Sequence, residues 1–563
     1  MKGTKGTCLA FFFRECYNVT GYEENKMKKM LFMLVSIFVF IGSFMLINNL
    51  QKKNFVVFNS ISSEQIEAVK EQKIKATELG FTALLCNEMR VPFDEATNTF
   101  FVPVDMKSKQ WETMKFESGQ PEFRILFKED ITNKKKNEVI SENVKVELFV
   151  YSDSNWAEYY VTFTGLPVID IATNEGFYGA EDITGTVVFF DTDFLMHGTE
   201  QSDYNGHIRG NTSRMFPKKG YKLNLTKPGP DGTTELNKLS IFGMRKDDDW
   251  ILHALYNDDT KIRDMLSMNV WDNFGAKAIS GKSYYGPRMT YVEVVADNAY
   301  CGLYGLMEPV DGKQLDLVEE DYSYKKSNPG GLKYQYFSFH EMRDPYAEIE
   351  GFKIKEGPVD DGADLWEPLA ELASVISLPE SDFLKDDTEL INDESALRLW
   401  LFIQIITGHD HTVKNVFYIA KFNDDLPENY QFYFAPWDMD LTWGNVSVGE
   451  INPVYTEFEA ETTDDRVDWI VGDKILDEDR NGARTYVQRL YEELRTTVLA
   501  EQSLENMIYE LDSQLRDSGA FARDRSRWPK GVHADDCEQL LNYAKERLDF
   551  LDEALYDLEY YDS

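Results

Sequence analysis

Asp410, Asn415 and Asp438 are the residues whose types and spacing could do chemistry. In Asp410-His411-Thr412-Val413-Lys414-Asn415 a carboxylate is followed five residues later by an amide. The carboxylate can meet a hydroxyl nucleophile, and the amide oxygen can reach a metal ion on nucleotide phosphates. That is the chemistry of phosphoryl transfer. Asp and Asn are also ordinary loop residues, so the spacing alone is a weak signal. Asp438 strengthens it. It follows an apolar run and a tryptophan in Ala435-Pro436-Trp437-Asp438-Met439-Asp440, and it opens a turn toward Gly444. A hard cation such as Mg²⁺ keeps several waters and needs only one or two carboxylates. Asp440, two residues on, is a candidate second ligand. In isolation a Trp-Asp pair reads as a turn or cap; the ordered arrangement argues against that reading.

Phosphoryl transfer is mostly positioning and charge neutralisation, so cations should face the phosphates. The run from Arg209 to Lys222, RGNTSRMFPKKGYK, concentrates them. Lys222 falls on a predicted strand, Tyr221 to Leu225, in the place where protein kinases carry a phosphate-binding lysine. Arg209, Ser213 and Arg214 precede it. The sequence has no G-x-G-x-x-G loop; Asn211-Thr212-Ser213 could supply backbone N–H and hydroxyl donors instead. A solvated or lipid-facing patch is the alternative for this run. His409 and His411 flank Asp410 and could bind zinc as an H-x-H pair. No third histidine lies near, among seven in the chain, so loop hydrogen bonding is the preferred reading. No G-x-S-x-G elbow occurs, which argues against an α/β-hydrolase.

The elements that must position these residues follow from periodicity. A helix is predicted from Asp258 to Phe274, with Ile262, Met265, Leu266 and Val270 on one face and Gly275 as its stop. Tyr291 to Val295 and Leu303 to Met307 flank Asp297-Asn298 and read as a hairpin. An apolar helix from Glu394 to Thr407 should be buried and should deliver the loop carrying Asp410. Two strands then lead to Asp438, and the last hundred residues read as helical. Upstream, Thr99 to Val104, Glu122 to Phe127 and Val144 to Val150 alternate as strands of a small β-rich domain. The expected division is 1–29 as a cytoplasmic segment, 30–47 as a membrane anchor, 48–79 as a spacer, 80–157 as the β-rich domain and 158–560 as the main unit.

The anchor is Met30 to Ile47, MLFMLVSIFVFIGSFMLI, which carries no charge and is just long enough to span a bilayer. Lys26, Lys28 and Lys29 precede it, which places that end in the cytoplasm and the main domain outside. A cleaved signal peptide competes, but no A-x-A site follows, so a single-pass anchor in the cell membrane is expected. The 563-residue chain carries 98 acidic and 59 basic residues, a net charge of −39. Such acidity disfavours nucleic acid and suits a soluble surface or basic partners. Five cysteines show no C-x-x-C spacing. Cys86, Cys301 and Cys537, beyond the anchor, allow at most one disulfide.

Four stretches together resemble the CotH spore-coat kinase family: Arg209 to Leu225, Trp250 to Leu266 (WILHALYNDDTKIRDML), Tyr291 to Glu308, and Gly408 to Gly444 (GHDHTVKNVFYIA…FYFAPWDMDLTWG). The resemblance implies an α+β chain with an atypical protein-kinase-like bilobal fold. It also implies ATP, Mg²⁺ or Mn²⁺, and phosphorylation of Ser or Thr in secreted, surface or coat proteins. By position it makes Asp410 the catalytic Asp, Asn415 a metal ligand and Asp438 the essential metal-binding Asp. Arg209, Ser213, Arg214 and Lys222 would face the nucleotide. Leu303 to Glu308 would stand at the hinge strand, with Glu308 a further nucleotide-side candidate. The anchor and the β-rich domain set this chain apart from coat members, which questions a spore role. Basic substrates would suit the acidic surface. The competing expectation is a non-catalytic CotH-like surface or adhesive protein, since a fold need not retain activity.

Overall fold

The computed structural model describes residues 63–556 and 558, apart from 108–113, 132–133, 177–181, 275–285, 338–347, 359–363, 387–388, 427–428, 449–451 and 459–465. The Met30 to Ile47 segment lies outside the described residues. No described helix is long and apolar enough to cross a membrane.

The chain is α+β. Its first sheet centres on the strand Asn155–Thr164, which pairs antiparallel with Lys145–Tyr151 and parallel with Thr99–Pro103. Phe100, Val102, Leu148 and Val161 fill its core. The whole of Asn155–Thr164 belongs to this sheet, which therefore runs past residue 157 to Thr164.

Seven strands of the second sheet close into a ring. In order they are Glu200–Arg209, Ile183–Phe190, Val168–Thr173, Arg288–Ala296, Ala299–Glu308, Asp249–His253 and Gly220–Pro228, which pairs back to Glu200–Arg209. Closure satisfies both backbone edges of each strand. Ile171, Val187, Tyr204, Leu223, Leu225, Trp250, Leu252, Val292 and Leu306 pack as its core. The Arg288–Ala296 and Ala299–Glu308 hairpin turns at Asp297 and Asn298, with φ of 50° and 59°. Asp and Asn tolerate that left-handed geometry, which is why the dipeptide signalled the hairpin.

The helix after the ring spans Arg263–Phe274, not the predicted start at Asp258. The Asp258 carboxylate accepts from the backbone N–H groups of Thr260 (3.1 Å) and Arg263 (2.8 Å). Residues 258–262 thus form a cap rather than a first turn.

A four-stranded sheet follows, ordered Phe352–Glu356, Tyr322–Lys326, Val416–Phe422 and Tyr430–Pro436. The helix Asp393–Ile406 packs on it. Leu397, Leu399, Trp400, Leu401, Phe402, Ile403, Ile405 and Ile406 are all buried, as an all-round apolar helix must be. Asn392 caps it by accepting from the Ser395 N–H at 2.8 Å. Thr407, with φ of 52°, stops it and turns the chain into the Asp410 loop. Helices Ala483–Arg495, Glu501–Asp517, Ala520–Arg527 and Glu538–Ala554 complete this body. Cys86, Cys301 and Cys537 are free thiols.

Candidate functional site

Between the ring and the four-stranded sheet lies a cleft of about 900 Å³. The Arg209 to Arg214 turn and His253 line it from the ring side. Lys325, Asp410, Asn415, Trp437, Asp438 and Asp440 line it from the other.

Asp410 sits in a short 3₁₀ turn, His409–Thr412, directly after the buried helix. The Lys414 ammonium is 2.8 Å from Asp410 Oδ2. Asn415 is buried, and its Nδ2 stands 3.4 Å from both Asp410 Oδ2 and the Asp438 carbonyl oxygen. These are long contacts, but they tie the Asp410–Asn415 loop to the Asp438 loop. The Trp437 N–H donates to the Asn415 carbonyl at 2.9 Å and fixes the two loops. Asn415 and Asp438 both have left-handed backbones, with φ of 63° and 58°. Asn and Asp bear this conformation at lower cost than other side chains, and such outliers cluster at functional sites.

The helix Arg263–Phe274 supplies Asp264. Its Oδ1 accepts from the Met439 N–H at 2.9 Å, and its Oδ2 lies 3.0 Å from His253 Nε2. One carboxylate thereby holds the Asp438 loop and a ring histidine together. Burial would lower the His253 pKa, but Asp264, Asp438 and Asp440 outweigh it and the net shift is upward. Burial, then the charges of Asp438 and Asp264, push the Asp440 carboxyl well above the usual range. Among the described residues neither Asp438 nor Asp440 forms an ion pair.

That imbalance is the test of a divalent cation. Two carboxylates of one loop make no close ion pair among the described residues, and the Asn415 amide nitrogen is turned to Asp410 and the Asp438 carbonyl. Hard oxygen donors of this kind fit Mg²⁺ or Mn²⁺. Among the described residues no group of three or more His, Cys, Asp or Glu is placed to hold a metal ion unaided. Mg²⁺ does not require one, because phosphates and waters complete its shell. His411 is buried, and burial pushes it down to about 4. A Cβ on Gly408 would come 2.8 Å from His411 Nδ1, so only glycine fits there. His411 is thus a neutral part of the loop, and His409 is exposed.

Seven expected residues meet in the cleft: Asp410, Asn415, Asp438, Asp440, Arg209, Ser213 and Arg214. Two others do not line it. Lys222 Nζ lies 3.1 Å from Asp249 Oδ2. Glu308 is buried and accepts from the Arg245 N–H at 2.9 Å. The basic run is also divided. Lys218 leaves the cleft to pair with Asp524 at 2.7 Å, and Lys219 donates to the Arg214 carbonyl at 2.5 Å. Sequence reasoning missed Lys325, His253 and Asp264. Lysine within Tyr322-Ser323-Tyr324-Lys325-Lys326, a strand with buried tyrosines, was the available signal for the first.

The lining side chains include five cations, Arg209, Arg214, Lys325, Lys353 and Lys414, against three carboxylates, Asp410, Asp438 and Asp440. In a chain of net charge −39 that local excess is the reverse of the whole. A strand ring above a helical body, with carboxylates and an amide facing a bank of cations between them, has the make-up of a protein that handles metal-bound phosphates. Residues 207–551, more than half of the chain, match the family model of the CotH kinase protein, and the chain belongs to that family. No curated protein matches it. Kinase families in general use ATP and a divalent metal.

Proposed function

We propose that this chain is an ATP-dependent protein kinase that moves the γ-phosphate to Ser or Thr hydroxyls. One observation carries the reading. Asn415 Nδ2 stands 3.4 Å from Asp410 Oδ2 and 3.4 Å from the Asp438 carbonyl, so the base candidate and the metal-side loop are joined through one amide.

Asp438, Asp440 and Asn415 Oδ1 would hold Mg²⁺ or Mn²⁺. When bound, the ion would neutralise and orient phosphate oxygens. Asp410 takes the proton of the acceptor hydroxyl, and Lys414 fixes that carboxylate in place. Arg209, Arg214 and the Ser213 hydroxyl bind phosphate oxygens; the flat guanidinium fork suits them. Asp264 fixes the Met439 backbone and so orients the carboxylates on either side. The strand ring and the helical body act as the two lobes of a kinase-like fold, with the nucleotide between them.

The same reading places the main domain outside the cytoplasm, tethered once by Met30 to Ile47. Its acceptors would be basic Ser/Thr-containing surface or coat proteins, which the net charge of −39 favours. The test is transfer of label from γ-labelled ATP to casein or a Ser/Lys-rich peptide, with Mg²⁺, by the full-length protein. Wild type should label the acceptor and Asp410→Asn should not. Equal labelling by the two proteins removes the enzyme reading and leaves a non-catalytic surface module.

A further inference from the structure

We propose that Lys325, seated on the Trp437 ring, is the principal phosphate-binding lysine of the cleft, in place of Lys222; the assignment rests on the nucleotide reading above.

The two lysines occupy opposite situations. Lys222 lies on the strand Gly220–Pro228, where Leu223 and Leu225 point into the ring core. Its side chain therefore points out of the ring, where Asp249, a diagonal neighbour on the adjacent strand, takes its ammonium at 3.1 Å. It does not line the cleft. Lys325 does line the cleft, and among the described residues it has no ion pair. Its Nζ sits 4.5 Å from the centre of the Trp437 ring and 5.7 Å from that of Phe417. Directly across the sheet it faces another lysine, Lys353, which is already paired with Glu348 at 3.0 Å. Like charges opposite one another in a sheet are destabilising.

Arg209 repeats the pattern from the other wall. It has no ion pair among the described residues, and its guanidinium carbon is 5.8 Å from the same Trp437 ring. One cation comes from the strand ring and the other from the four-stranded sheet. Both meet at the residue that precedes Asp438. An aromatic face holds a cation in place without neutralising it. Both cations are half-buried without a close ion pair, and a bound anion would offset the cost of their partial desolvation. Two cations without a close ion pair, both in the field of Asp438, a carboxylate expected to carry a metal, make a seat for a polyphosphate, which engages both kinds of charge at once.

The competing explanation is that Lys325 only props Trp437. Lys325→Met keeps the apolar stem on the ring and removes the charge; Lys325→Gln is a second, polar variant. The full-length protein is titrated by calorimetry with inorganic tripolyphosphate and with ATP, each with Mg²⁺, and melted with and without them. Tripolyphosphate isolates the phosphate contacts from those to the base. Loss of one charge-assisted contact should weaken tripolyphosphate about tenfold or more in Lys325→Met, while Lys222→Met changes it by less than about twofold. The melting temperature without ligand should hold in Lys325→Met, because no close ion pair is lost and the apolar stem stays on the ring. Wild-type affinity in both Lys325 variants, or a larger loss in Lys222→Met, overturns the assignment alone. A fall in unliganded melting temperature in both Lys325 variants marks a structural prop and overturns it too. A wild type that binds neither ligand removes this inference and the kinase reading together.

Discussion

The cleft and the far side of the strand ring use the same residue types in opposite ways. On the far side Lys218, Asp524, Glu293 and Arg523 are paired with one another or with a neighbour. Asp524 accepts from Lys218 at 2.7 Å and from the Leu303 N–H at 2.9 Å, and His533 Nε2 lies 3.1 Å from its other oxygen. Burial alone would raise the Asp524 carboxyl, but Lys218, His533 and Lys261 outweigh it and hold it well below the usual range. Arg523 makes two bonds to Glu293, at 2.8 and 2.7 Å, and a third at 3.0 Å to Asn143 of the first domain. In the cleft, by contrast, Lys325 and Arg209 rest on a tryptophan, and among the described residues neither Asp438 nor Asp440 makes a close ion pair. Buried charge that is fully paired fixes one architecture; half-buried charge without a close partner is open to a ligand. The Arg209 to Lys222 run shows the difference within one segment, since Lys218 joins the first set and Arg209 the second.

The strongest way to break this contrast is to remove one unbalanced carboxylate. Asp438→Asn keeps a side chain that tolerates φ of 58°. Phosphate transfer should fall by about a thousandfold or more, the scale expected when a main electrostatic contact to the reacting phosphate is lost. The melting temperature should hold or rise, because Asp440 is relieved of a neighbouring charge. Retained transfer would show that the imbalance serves no chemistry. The matching change on the far side is Arg523→Ala. It leaves Glu293 buried and unpaired, which should cost about 3–5 kcal/mol in urea unfolding. Replacing both partners, Arg523→Met with Glu293→Leu, should recover most of that, since the penalty lies in the orphaned charge. An Arg523→Ala protein of wild-type stability would mean that the far side is not an anchor.

What could be read ahead of the structure was what is local in the chain. The Asp410 to Asn415 spacing, the apolar helix before it and the Asp297-Asn298 turn all declare themselves within a few residues. Closure of the ring does not. It depends on the parallel pairing of Val168–Thr173 with Arg288–Ala296, strands more than a hundred residues apart with no shared signal. The choice of cation is hidden for a related reason. Lys218, Lys222 and Lys325 are equivalent as letters, and only register and neighbours separate them. Strand alternation turns Lys222 away from the ring core toward Asp249, whereas Lys218 finds Asp524 in the helix Ala520–Arg527. Asp264 was hidden by the helix prediction itself. With the start moved from Asp258 to Arg263, it stands in the first turn, against the Asp438 loop.

Asp264 also offers the finest test, because it belongs to the paired class by its contacts and to the cleft by its place. Asp264→Asn can keep the oxygen that accepts from the Met439 N–H while losing the charge that faces His253. Transfer should fall by only about tenfold, the cost of loosening one charge-assisted contact behind the Asp438 loop. The second readout is pH. His253 has its pKa raised above the ordinary 6.5 in the folded chain. Below 6.5 both folded and unfolded chains bind that proton, and the stabilisation it brings is fully present. As pH rises from 6.5 through the folded value, the unfolded chain has released the proton first, and the stabilisation is lost. Asp264→Asn should flatten this decline and move the His253 ring titration, followed by NMR, to lower pH. If the ring titrates unchanged in the variant, Asp438 and Asp440 are what raise it, and the histidine belongs with the unbalanced charges of the cleft instead.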